Sequence, residues 1–147
     1  MTARGTKGAQ TPIGGSGNSV ISGRAREGAT RSYASRFASA FADDFYRETA
    51  PGLTVSSIGM GTYLGECEDA EDERYTNTLA AGISSGLNLL DTAINYRCQR
   101  SELAVGRALQ KAVRSGDAAR EEIVVCTKGG YIPLVGSPPE TRDAYRS

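Results

Sequence analysis

Three residues have the types and placement for proton chemistry: Asp91, Tyr96 and Lys128. The apolar run Leu87-Asn88-Leu89-Leu90 ends on Asp91, and a short segment then leads to Tyr96. A second run, Ile123-Val124-Val125-Cys126-Thr127, ends on Lys128. Charged groups at the ends of buried strands are costly unless they meet and pair. An unperturbed tyrosine ionises about three units above neutral pH, and an adjacent cation favours the phenolate. A tyrosine beside a lysine that an acid holds charged can therefore give a proton to a developing oxyanion. A structural Asp–Lys pair beside an unrelated tyrosine has the same signature, and spacing alone does not separate the two.

Composition narrows the classes. A chain of 147 residues allows one domain. Lys+Arg 17 against Asp+Glu 17 gives no electrostatic case for nucleic acid or an acidic lipid surface as partner. No apolar run approaches the roughly 20 residues of a membrane span. Cys67, Cys98 and Cys126 are widely spaced and form no CxxC pair, so neither a metal knuckle nor a disulfide framework is expected. Reduced thiols in the cytoplasm are the default. The chain has no histidine, which excludes a Ser-His-Asp triad, a Cys–His pair and a histidine-ligated metal within it. Cys98 lies between Arg97 and Arg100, cations that favour a reactive thiolate, although a plain loop cysteine is the preferred reading.

The elements that position these groups can be read in order. Residues 1–32 are rich in Gly, Ser, Thr and Arg, and are expected to be a disordered leader. Their basic character comes without a clear amphipathic helix, so a targeting segment is not favoured. In residues 33–50, Tyr33, Phe37, Phe41 and Phe45 recur every four residues, which predicts an amphipathic helix ending before Pro51. Leu53-Thr54-Val55 reads as extended, Ser56-Ser57 as a turn, and Ile58 to Thr62 as the first buried strand. Gly59 and Gly61 in it imply close backbone approach by another group.

Asp69 to Ser85 is a helix with an acidic first turn, stopped by Gly86. Leu87 to Asp91 is the second strand. Ser101 to Arg114 is a helix capped by Ser101, with Val105, Leu109, Ala112 and Val113 facing inward. Ile123 to Thr127 is the third strand, and residues 131–147 read as loop. The β-α-β-α-β order over residues 51–130 argues an α/β fold with a parallel sheet. In such folds groups beyond the carboxyl ends of strands face the ligand crevice, where Asp91, Tyr96 and Lys128 all fall.

The surrounding text resembles the aldo-keto reductases. Ile58-Gly59-Met60-Gly61-Thr62-Tyr63 is similar to their first-strand motif, and Ala81-Gly82-Ile83 with Asn88-Leu89-Leu90-Asp91-Thr92-Ala93 to their second unit. Ser101-Glu102 with Val105-Gly106-Arg107-Ala108-Leu109 resembles the S-E-x-x-x-G-x-A-L helix, and Thr127-Lys128 the T-K that ends the third strand. The resemblance covers roughly residues 53 to 130. It implies a partial (β/α)8 barrel, its first three strands and two helices, and NADP-dependent reduction of an aldehyde or ketone.

It further implies catalytic roles for Asp91, Tyr96 and Lys128, with Tyr96 as proton donor. Gly61, Thr62, Tyr63 and Asp91 would lie at the nicotinamide side of the NADPH site, with no metal. Arg97-Cys98-Gln99-Arg100 departs from the glycine usual after the tyrosine. The family's catalytic histidine and its phosphate-gripping segments have no counterpart here. A (β/α)8 barrel takes about 250 residues. The expectation is therefore the N-terminal portion of such an enzyme, from a truncated or split gene, inactive alone. Its unpaired strand edges would invite self-association or a complementing C-terminal half. The alternative is a non-catalytic fragment or interaction module of the same superfamily.

Overall fold

The computed structural model describes residues 20–131 together with Leu134 and Pro138. The elements are α1 (Glu27–Phe37), β1 (Tyr46–Glu48), β2 (Thr54–Ser56), β3 (Met60–Gly61), α2 (Asp69–Ser84), β4 (Leu89–Asp91), α3 (Arg100–Ser115) and β5 (Val124–Cys126). Short 3-10 turns at Ala38–Ala40 and Arg120–Glu122 follow α1 and precede β5. Strands β3, β4 and β5 form a parallel sheet in that order. With α2 and α3 as the crossovers, this is the α/β arrangement expected.

Both crossover helices follow from the sequence pattern. Asp69, Glu71 and Asp72 occupy the first turn of α2, where the macrodipole favours them, and Leu79, Ala80 and Ile83 are buried. The helix stops at Gly86, whose φ of 103° is unstrained only for glycine. Helix α3 buries Ala104, Val105, Ala108, Leu109 and Ala112, an i, i+1, i+4, i+5, i+8 stripe. Val113, expected on that stripe, is exposed, because it lies a further 100° round from Ala112. Ser101 does not cap α3. Gln99 holds the cap position with no side-chain cap bond, and the Ser101 hydroxyl donates to the Thr62 carbonyl oxygen at 2.6 Å instead.

The two faces of the sheet differ. Met60, Leu90 and Val125 are in register across the three strands and pack on the core with Leu79, Ile83, Val105 and Leu109. Gly61, Asp91 and Cys126 are the next register row and point the other way. Gly82 makes room for this packing: a Cβ there would lie 2.2 Å from the Met60 sulfur, so the methionine side chain would have to shift. Gly59 meets the expectation of close approach, since a Cβ would come within 3.2 Å of the Leu89 side chain; Gly61 has nothing within 4 Å.

The N-terminal part departs from expectation. The helix lies at Glu27–Phe37, so it begins inside the stretch read as a leader and ends well before residue 50. Residues 1–19 of that leader, and most of the expected loop at 131–147, lie outside the described residues. Tyr33 and Phe37 are the helical part of the aromatic stripe. Phe41 and Phe45 instead stack at 3.9 Å, with Tyr46 edge-on to both, and the Phe41 ring lies over Gly86. The chain then turns into a β1–β2 antiparallel hairpin, Tyr46 opposite Ser56 and Glu48 opposite Thr54. The Thr54 and Ser56 N–H groups face away from β1 and donate to side chains instead, Thr54 to the Thr30 hydroxyl at 3.0 Å and Ser56 to Asn88 at 2.8 Å.

Asn88 ties that hairpin to the sheet. Its side chain accepts from Ser56 N at 2.8 Å and donates to the carbonyls of Thr54 at 2.9 Å and Glu122 at 3.3 Å. Asn88 and Glu122 precede β4 and β5, so the hairpin covers the amino ends of the parallel strands. The carboxyl ends are left for Asp91 and Lys128.

Candidate active site

Asp91 is the last residue of β4, paired with Gly61 on one side and Cys126 on the other. Lys128 lies two residues beyond β5. The β4–β5 pairing runs on past the strands, through Thr92 N to Cys126 O at 2.9 Å and Ile94 N to Lys128 O at 3.3 Å. This extension brings the two charged groups together. Lys128 Nζ donates to both Asp91 carboxylate oxygens at 2.7 and 2.8 Å, and to Thr92 O at 3.1 Å. Both side chains are about half exposed (48% and 46%), so the pair is reachable from solvent.

Tyr96 sits on the turn leaving β4. Lys128 Nζ lies 4.8 Å from the centroid of its ring, and the Tyr63 ring meets it edge-on at 5.0 Å. The Asp91 carboxylate first, and Tyr96 second, raise the Lys128 ammonium above the usual lysine value. The lysine is therefore charged at neutral pH and held between an acid and a phenol. The three residues singled out for proton chemistry converge at one end of the sheet.

The groups expected around a cofactor divide. Gly61 is exposed with open space where a Cβ would be, and Tyr63 is 66% exposed. Asp91 is engaged by Lys128. Thr62 is fully buried and its hydroxyl donates to the Asp91 carbonyl at 3.0 Å. It braces the strand end from behind and presents no side chain to the opening. With Ser101 on Thr62 O, it links α3 through β3 to Asp91.

The turn after Tyr96 is unusual. Arg97, Cys98 and Gln99 have φ of 48°, 53° and 69°, three successive non-glycine residues in the left-handed region. Arg97 is the anchor, with its side chain 1% exposed. It donates to Asp72 Oδ1 at 2.6 Å and to the Glu66 carbonyl through Nε and Nη2 at 3.0 and 2.7 Å. Its guanidinium lies over the Tyr75 ring at 4.9 Å. Asp72 also receives Arg100 at 2.7 Å and Arg107 at 3.3 Å. Sequence reasoning assigned Asp72 to the helix dipole and missed this role, because an acid in a first turn reads the same in either case. Cys98 is buried, and burial with the neighbouring Cys67 raises its thiol, which works against a standing thiolate there. Among the described residues no cluster of metal-binding side chains is present, and no helix is long and apolar enough to cross a membrane.

The sequence pattern of the Aldo/keto reductase family matches residues 57–146. The chain belongs to this family. Its similarity to individual members is moderate. It is 34% identical to the NADH-specific methylglyoxal reductase of Escherichia coli (strain K12) over 85 residues, which are 54% of this chain and 24% of that protein. It is 35% identical over 77 residues to 2,5-diketo-D-gluconic acid reductase B of Corynebacterium sp. (strain SHS752001), 52% of this chain and 24% of that one. It is 31% identical over 80 residues to Aldo-keto reductase YhdN of Bacillus subtilis (strain 168), 52% and 23%.

The chain thus spans about a quarter of the length of these relatives. As an aldo/keto reductase chain, its departure at Arg97 has a physical reading. A glycine would adopt the φ of 48° found at position 97 without steric cost. Here an arginine adopts it and is held there by its side chain.

Proposed function

We propose that Asp91, Tyr96 and Lys128 form the proton-transfer end of an NADPH-dependent carbonyl reductase site, acting on an aldehyde or ketone. The observation that carries this reading is the Lys128 ammonium, shared between the Asp91 carboxylate and the Tyr96 ring at the carboxyl end of parallel strands. Three parallel strands in sequential order, with both crossover helices on one face, have the form of a wall of a (β/α)8 barrel. The bare face then belongs to the barrel interior, and further strands complete the site.

When bound, the nicotinamide cofactor supplies the hydride. The residues here fit the flat ring of such a cofactor: Gly61 leaves room above the sheet, beside the exposed Tyr63 ring. Tyr96 gives its phenolic proton to the carbonyl oxygen as negative charge develops there. Lys128 stabilises the phenolate left behind, and Asp91 keeps Lys128 charged and aimed. Thr62 and Ser101 hold the strand ends in place.

The test is an NADPH-oxidation assay with a reactive aromatic aldehyde, repeated with NADH because one relative's name specifies that cofactor. It is run on the full chain alone and on the chain complemented with the remaining barrel strands of a family relative. The described residues hold no hydride-positioning group beyond this edge of the site. Such positioning is worth up to roughly 7–11 kcal/mol, so the chain alone is expected to show no turnover. The complemented protein is expected to turn over, and Tyr96→Phe to abolish that activity. Recovered turnover that survives Tyr96→Phe overturns the donor assignment. Turnover by the chain alone that is lost in Tyr96→Phe overturns the need for further strands.

A further inference from the structure

Cys67 and Cys98 lie 3.8 Å apart, sulfur to sulfur, on two different loops at the carboxyl end of the sheet. Cys67 is on the β3–α2 connection and is half-buried; Cys98 is on the β4–α3 turn, two residues after Tyr96, and is buried. The residues just before them, Glu66 and Arg97, are joined by two hydrogen bonds from the Arg97 guanidinium to the Glu66 carbonyl. Asp72 accepts a further bond from Nη2 of the same guanidinium. The loops are therefore fastened beside the thiols, and the sulfurs need to close by somewhat under 2 Å to reach the roughly 2.05 Å of a disulfide. The third cysteine, Cys126, is exposed on β5.

We propose that Cys67 and Cys98 are a built dithiol site that a low-molecular-weight disulfide oxidises to an intramolecular Cys67–Cys98 disulfide. The accessible Cys67, as thiolate, attacks the external disulfide. It forms a mixed disulfide, and the first small thiolate leaves and takes up a proton from solvent. Cys98 then loses its proton and attacks the Cys67 sulfur, expelling the second small thiolate, which is protonated in turn. Two protein thiols are oxidised and one external disulfide is reduced to two thiols. Burial raises the Cys98 thiol, so it is poorly reactive toward an outside reagent and serves as the second, resolving partner. The product ties the turn that carries Tyr96 to the loop after Gly61 and Tyr63. The proposal rests on the thiol geometry and stands whether or not Tyr96 is a proton donor.

The experiment incubates the folded 147-residue chain with oxidised glutathione, blocks remaining thiols, and maps linked peptides by mass spectrometry. A Cys126→Ser variant removes the exposed competitor. The expected result is loss of the Cys67 and Cys98 thiols without retained glutathione, and a Cys67–Cys98 linked peptide. The thermal midpoint rises and returns on reduction with dithiothreitol. In denaturant the preference for this pair is expected to vanish, which shows that the fold selects it. Stable glutathionylation of Cys67 with Cys98 left reduced overturns the proposal. So does a chain in which both remain thiols under conditions that modify Cys126.

Discussion

Replacing Asp72 by alanine removes the acid that three arginines share. The cost can be worked from their exposures. Arg107 is 43% exposed and Arg100 20%, and Arg100 keeps Asp69 at 2.9 Å, so both can recover hydration or a partner. Arg97 is 1% exposed and retains only the Glu66 carbonyl among its charge-assisted contacts. Breaking a buried ion pair by deleting one partner costs about 3–5 kcal/mol, and the retained carbonyl argues for the lower part of that range. A loss of about 3–4 kcal/mol, with a urea m-value of about 2 kcal/mol per molar, lowers the unfolding midpoint by about 1.5–2 M. Circular dichroism on the full chain measures it. Asp72→Ala combined with Arg97→Met removes the stranded charge, and is expected to be more stable than Asp72→Ala alone. A single-variant loss below about 1 kcal/mol, or strictly additive effects in the double variant, would show that the pair is not coupled as the geometry requires.

Asn88→Ala strands the Ser56 N–H and two carbonyls at the junction of hairpin and sheet. It is expected to cost about 2–4 kcal/mol in denaturant unfolding, and a loss within about 0.5 kcal/mol would show that the hairpin does not depend on it. Stability is expected to fall at alkaline pH through Tyr33, which is fully buried and donates to the Ile83 carbonyl. Burial raises its phenol above the ordinary value. The folded state therefore keeps a proton that the unfolded chain loses above about pH 10, and stability drops by up to about 1.4 kcal/mol per pH unit beyond it. Lys128, also raised, acts with the same sign: its contribution is present below the ordinary lysine value and lost above it. Tyr33→Phe is expected to flatten the alkaline slope, and an unchanged slope between pH 10 and 11 would refute the assignment.

What was legible in the sequence was what repeats or ends sharply. Helices α2 and α3 show their apolar stripes and glycine stops, and β4 and β5 are apolar runs ending on charge. The Asp91–Lys128 pair was legible for that second reason: two buried strands ending on opposite charges have few other ways to satisfy them. The β1–β2 hairpin was hidden because Phe41 and Phe45 continue a helical spacing that the backbone abandons. Their rings stack on each other and on Gly86, and the strand that follows needs Ser56, ten residues away, to be recognised. The start of α1 was hidden by the polar composition of its first turn. Arg97 has only a polar sequence around it, and nothing in the order of residues shows that its partner is Asp72.

The motif residues have a meaning beyond the reacting groups, because most of them touch one another. Ser101 bonds Thr62, Thr62 bonds Asp91, Thr127 bonds Glu102 at 2.6 Å, and Gly82 accommodates Met60. These contacts join each strand end to a helix and leave the Asp91–Lys128–Tyr96 group on top of a braced edge. The turn after Tyr96 is held by other means. Three left-handed residues cost roughly 1–2 kcal/mol each. The contacts that hold Arg97 in that conformation are the pair with Asp72, two bonds to Glu66 O and the stack on Tyr75. A glycine at position 97 would remove part of the backbone cost and all of the anchorage. The side chain, not the backbone preference, therefore determines where this turn and the tyrosine before it sit.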